Sequence, residues 1–141
     1  MCVFQYLQWF SPNENWGDPF MMNGLLLLLL DAIRGRWGKP FVIHCGYETS
    51  GHASKSQHYV GNAVDFHIKD ELPFYAQVEK MEQILAELQV ADKVGLGIYP
   101  DWAHPGFHLD VRGTRARWGR IGGKYVSFKE ALVYARKLAR A

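Results

Sequence analysis

Two segments of this chain alternate in a way that only a one-sided sheet can satisfy. From Asn62 to Ile68, Ala63, Asp65 and His67 fall on one side, and Val64, Phe66 and Ile68 on the other. From Phe107 to Arg112 the same rhythm puts His108, Asp110 and Arg112 opposite Phe107, Leu109 and Val111. Side chains of a strand point alternately to its two faces, so each segment demands a core on one side and a polar surface on the other. Four of these groups, Asp65, His67, His108 and Asp110, are costly to desolvate unless something compensates them.

A divalent metal is such a compensation, because it binds neutral imidazole and ionised carboxylate directly. His58 and Asp65 stand seven residues apart around Gly61, and His108 arrives from a distant strand. Two imidazoles and one carboxylate form a donor set of the kind a catalytic zinc uses while keeping a fourth position for water. Asp110 and His67, on the same strand faces, are candidates to accept or hold the remaining ring protons. His44, on a strand face with Val42, and His52, in a loop, read as structural residues.

The remaining text organises around these segments. Residues 20–36 predict a helix whose leucine run, 25–30, is apolar nearly all round and therefore buried. Gly38 and Pro40 close it. Phe41 to Cys45 predicts a short inner strand, and Gly46 to Gln57 a turn-rich loop. A helix is expected from Pro73 to about Val90, and a strand over Val94–Tyr99 in which Gly95 and Gly97 allow close backbone approach. Ser127 with Glu130 has the capping-box spacing for a C-terminal helix. Short connections exclude a regular parallel sheet, so the expected class is α+β, one domain over residues 1–141 with helices packed on a small, mainly antiparallel sheet.

Length and composition agree with one core: 141 residues, 48% hydrophobic and 14% aromatic. The leucine run is too short to cross a bilayer, which takes roughly 20 apolar residues, and it lacks the flanks of a secretory signal. A formal charge of +2 does not imply nucleic acid. Arg112, Arg115, Arg117, Arg120 and Lys124 nevertheless crowd together, either as a solvated edge or as a surface for a substrate carboxylate. Cys2 and Cys45 have no metal-type spacing, and Cys45 reads as a small buried residue.

The string Ser56-x-His58-x-x-Gly61-x-Ala63-x-Asp65, followed by His108-x-Asp110, resembles the signature of the zinc D-Ala-D-Ala peptidases. Phe10-Ser-Pro-Asn-Glu14, Leu30-Asp-Ala-Ile-Arg34, Gly38-Lys-Pro-Phe-Val42, Gly46-Tyr47, Gly95-Leu-Gly-Ile-Tyr99 and Arg117-Trp118 extend the likeness over roughly residues 8–127. The resemblance implies the Hedgehog/DD-peptidase fold, a Zn2+ cofactor held by His58, Asp65 and His108, and a peptidoglycan peptide as substrate. It further implies hydrolysis of an amide bond as an endopeptidase or carboxypeptidase, by a monomer acting at the bacterial cell wall. Three positions depart from the family pattern. Glu48 stands where an arginine helps hold the substrate, Pro105 where many relatives carry a glutamate base, and Cys45 where a serine is usual. His104, in the loop entering the last site strand, is then the expected acid/base, Asp110 its support, and Glu48 a further candidate. Glu48 also favours an internal bond over a free terminal carboxylate. The alternative reading is a metallopeptidase-like module, or a phage or prophage component, that binds zinc and cell-wall peptide without cutting.

Overall fold

The computed structural model describes residues 2–141. Helix α1 (Gly24–Trp37) leads into β1 (Phe41–Cys45) and, after a long loop, β2 (Ala63–Ile68). Helix α2 (Phe74–Glu87) precedes β3 (Gly95–Tyr99) and β4 (Gly106–Asp110). A hairpin of β5 (Ala116–Ile121) and β6 (Lys124–Val126) then precedes α3 (Phe128–Ala139). The six strands form one sheet in the order β1-β2-β4-β3-β5-β6. All neighbours are antiparallel except β3 and β5, which run parallel. The α+β class and mainly antiparallel sheet expected from the alternation are both present.

The apolar face of the central strands builds the core. Val64, Phe66, Leu96, Ile98, Phe107 and Leu109 are fully buried in one cluster with Leu30 and Ile33 of α1 and Met81 and Leu85 of α2. Phe66 stacks on Phe41 at 5.2 Å and on Phe107 at 5.7 Å between ring centroids, tying β1, β2 and β4 through one aromatic row. The ends of the helices follow their side chains. The Asn23 side chain accepts from the amides of Leu25 and Leu26, Gly38 closes α1, and Ser127 Oγ accepts from the Glu130 amide at 3.1 Å.

Two readings of the sequence need correction. The leucine run is not buried all round: Leu26, Leu27 and Leu30 are in the core, but Leu25 is 66% and Leu28 48% exposed. Helix α1 is covered on one side only, and composition alone does not reveal which leucines face out. The β5–β6 hairpin was not anticipated. Ala116-Arg-Trp-Gly-Arg-Ile121 carries little apolar alternation, because its arginines are used in contacts beside the sheet. Arg117 makes a two-pronged ion pair with Glu82 of α2, both contacts at 2.9 Å. Arg115 meets Asp92 at 3.2 Å. Arg115 and Arg117 of the basic cluster are thus paired with carboxylates.

These burial differences predict opposite outcomes for neighbouring substitutions. Leu30→Asp places an unpaired charge in the core and should cost ~3 kcal/mol or more in a denaturant titration. Leu28→Asp should change stability by no more than about 0.5 kcal/mol. Equal destabilisation by the two would show that α1 is buried on both sides.

Candidate metal centre

Strand register brings the polar faces of β2 and β4 together. Asp65 lies directly opposite His108, and Ala63 opposite Asp110. His58 joins them from a short 3-10 turn, Gln57–Val60, where its own amide donates to the Ser56 hydroxyl at 3.2 Å. His58 and His108 are buried. One ligand atom from each of His58, Asp65 and His108 lies within 4.8 Å of the others.

The hydrogen bonds around these rings decide where their lone pairs point. His58 Nδ1 donates to the Gly46 carbonyl at 2.7 Å, leaving Nε2 directed at Asp65 Oδ1, 3.2 Å away. His108 Nε2 donates to Asp110 Oδ2 at 2.7 Å, leaving Nδ1 directed at the same Asp65 oxygen, 3.0 Å away. A neutral imidazole has one N–H, and in both rings it is already used. When both rings are neutral, three lone-pair donors face one another, an arrangement that calls for a cation, either a metal ion or an added ring proton. The donor set fits zinc in type and number.

The charges respond accordingly. Burial opposes ionisation of Asp65, yet its hydrogen bonds to His108 and His58 outweigh burial and hold the carboxyl well below its usual range. Burial likewise works against the cationic form of His108, but Asp110 and Asp65 prevail and raise its pKa. In the absence of a metal, a proton on His108 does part of the metal's electrostatic work. Asp110, fully buried, is kept ionised against its burial by Arg112 and His108. Arg112 Nε and Nη2 reach its two oxygens at 2.8 and 2.7 Å.

The backbone makes room for this row. A Cβ on Gly95 would lie 2.6 Å from Asp110 Oδ2, and one on Gly97 would lie 2.6 Å from Trp118 Nε1. Both glycines of β3 are thus required by close approach, as their placement in the strand suggested. Trp118 in turn packs against His108, 4.9 Å between ring centroids.

The metal set opens into a cleft of about 440 Å³. Tyr99, Trp102, Trp118 and Tyr125 supply its aromatic walls, and Lys55, Arg112 and Arg120 its cationic rim. Tyr59, next to His58 in the chain, does not line it. Its hydroxyl instead accepts from the His52 amide at 2.9 Å and donates to the His52 carbonyl at 2.7 Å, pinning the loop.

The structure distributes the remaining candidates unevenly. Asp110 touches the metal set. Glu48 meets it only through its backbone, the amide donating to the His58 carbonyl at 3.2 Å. His104 is exposed, stacks on His67 at 4.6 Å, and lines a separate depression with it. His67, considered as a support for the ligands, contacts His44 instead, 2.5 Å between ring nitrogens. Burial, with His44 and His104 beside it, lowers the His67 pKa to about 4.

His52 and Cys45 carry more than their sequence positions suggested. His52 stacks on His58 at 4.2 Å and lines the cleft. Cys45 is free and half-buried, and its thiol donates to Asp65 Oδ2 at 3.3 Å. A register shift between Ile43 and Cys45, one extra residue in β1, lets both His44 and Cys45 reach the polar face of β2. Strict alternation would have turned one of them into the core, which is why Cys45 read as a packing residue.

A convergent His-Asp-His set on the polar face of the sheet, at the floor of an aromatic cleft, makes a candidate metal centre. The family model described as Peptidase M15 matches residues 9–105, and the chain belongs to that family of zinc D-Ala-D-Ala peptidase type. The match includes His58 and Asp65 and ends three residues before His108. No curated protein and no solved structure matches the chain. Among the described residues, no helix is long and apolar enough to cross a membrane.

The ring-proton geometry predicts the effect of Asp110→Asn. An amide at this position can present its own N–H to His108 and disturb the tautomer, so zinc affinity should fall about 10–100-fold in a chelator competition. Unchanged affinity would show that Asp110 does not orient His108.

Proposed function

We propose that the protein is a zinc metallopeptidase of the Hedgehog/DD-peptidase fold that hydrolyses amide bonds in peptidoglycan peptides. His58 Nε2, an oxygen of Asp65 and His108 Nδ1 hold the ion. The observation that carries this reading is the convergence of His58 Nε2, Asp65 Oδ1 and His108 Nδ1 at the floor of an open cleft. The chemistry such an ion supplies is polarisation of a scissile carbonyl and activation of water near neutral pH.

The chain's own residues supply orientation, charge and proton handling. Asp110 fixes the His108 ring, and Gly46 fixes that of His58. The aromatic walls give a peptide apolar surface to lie against. On the rim, the Arg112 guanidinium is engaged by Asp110, while Arg120 stands over the Tyr125 ring at 5.4 Å and, like Lys55, makes no ion pair among the described residues. Arg120 and Lys55 offer a peptide carboxylate the positive charge that Glu48 withholds at the family's arginine position. Both endopeptidase and carboxypeptidase action fit this rim.

We assign the proton to His104. Its ring is exposed and stacks on His67, and it sits in the β3–β4 loop, where rotation can carry it toward the cleft. A second reading, binding of cell-wall peptide without cleavage, is favoured by one observation. Asp65 is the only carboxylate among the cleft-lining residues, so no acidic base stands ready there.

Incubation of the zinc-loaded protein with purified peptidoglycan, followed by mass spectrometry of released peptides, separates the two readings. Cleavage is expected, and it should disappear with His58→Ala. His104→Ala should keep its zinc and lose about 10²–10⁴-fold in rate. Parental turnover by that variant would move the proton role to Glu48. Zinc binding without cleavage of peptidoglycan from any source would establish the binding reading.

A further inference from the structure

Strand β5 sends its side chains to two different places. Arg117 reaches Glu82 of α2, and a Cβ on Gly119 would collide with Ala131 of α3. The alternate residues, Trp118 and Arg120, line the metal cleft. Trp118 packs against His108, and Arg120 stands two residues farther along the same strand face, about 7 Å away. There Arg120 lies directly opposite Tyr125 of β6, its guanidinium over that ring at 5.4 Å. Stacking of this kind uses the flat face of the guanidinium and leaves its N–H edge free to fork onto a carboxylate. No acid of the chain takes that edge. Arg120 makes no ion pair among the described residues. Asp101 spends Oδ2 on the Gly122 amide at 2.6 Å, a bond that ties the tip of the hairpin to the loop carrying Trp102. Asp65, the carboxylate that lines the cleft, is held between His58 and His108. Arg112, the other arginine of this wall, is taken up by Asp110.

We propose that Arg120, braced by Tyr125, determines the specificity of the cleft, selecting peptides with a free carboxylate beside the bond at the metal over the same peptides with a carboxamide there. This deepens the peptidase reading and rests on a peptide lying in the cleft. An extended peptide advances about 3.3–3.6 Å per residue, so a group one or two residues from the bond over His108 comes within reach of Arg120. A carboxylate accepts two parallel N–H bonds from the guanidinium edge and neutralises its charge. A carboxamide offers one acceptor and two donors, so it satisfies one N–H and opposes the next. The carboxylate can be the chain terminus or an internal one, and the two are separated by amidating each in turn.

Trp102 and Trp118 line the cleft, so the initial quench of tryptophan fluorescence in the zinc-loaded protein reads peptide binding without requiring cleavage. The probes are three soluble stem peptides: one with its terminal and internal carboxylates free, one amidated at the terminus, and one amidated internally. At least one amidated peptide should bind about tenfold more weakly than the free one, and its identity names the carboxylate that Arg120 holds. Arg120→Gln should bind all three alike with its zinc content unchanged, whereas Arg120→Lys should keep part of the preference. Lys124→Gln removes the same charge from the same hairpin outside the cleft and should keep the preference in full. Equal binding of the three peptides by the parent protein, or no binding of any, would overturn the proposal. A preference that survives Arg120→Gln would overturn it too, and one lost in Lys124→Gln would show a general field instead of a contact. Peptides bound with this preference and never cut would refute the peptidase reading while leaving the role of Arg120 standing.

Discussion

The direction of two ring protons organises the candidate centre. His58 points its N–H at the Gly46 carbonyl and His108 points its own at Asp110, so both free nitrogens turn inward on Asp65. Each anchor has its own support. The Tyr47 amide donates to the Trp16 carbonyl at 2.7 Å, fixing the chain immediately after Gly46 against a buried tryptophan. Asp110 is clamped by Arg112 and fits only because β3 carries glycine at position 95. Loss of any of these supports is felt at the metal site through the imidazoles, without direct contact with an ion.

The sheet keeps incompatible requirements apart. Its apolar face buries phenylalanine and leucine against α1 and α2, while its other face collects all six histidines of the chain. Because the strands alternate, one residue of slip would exchange the two sets. The extra residue in β1 breaks that rule locally and gives the polar face two further groups, His44 and Cys45. The site is therefore a consequence of register at β2 and β4 and of deliberate irregularity at β1.

Legibility in the sequence followed the same physics. The alternations around Asp65 and His108 were readable because a strand half-buried against a core repeats with period two, and the set they imply does converge. Cys45 and His52 were read as a packing residue and a loop histidine, since a bulge and a folded-back loop leave no periodic trace. The β5–β6 hairpin was silent for another reason: Arg117 of β5 and Arg115 just before it satisfy Glu82 and Asp92, partners distant in the chain. Leu25 and Leu28 show the limit of composition, because a run of identical residues cannot mark its own buried side. His104 was placed near the cleft by sequence distance from His108, whereas the loop turns it onto His67.

X-ray absorption at the zinc edge, on protein purified without chelator, probes the His58, Asp65 and His108 donor set most directly. One zinc per chain with nitrogen and oxygen neighbours only, at about 2.0–2.2 Å, and the multiple-scattering pattern of two imidazoles is the expected result. A sulfur neighbour at about 2.3 Å in the stoichiometric zinc complex, or protein that takes up no zinc at all, would contradict it.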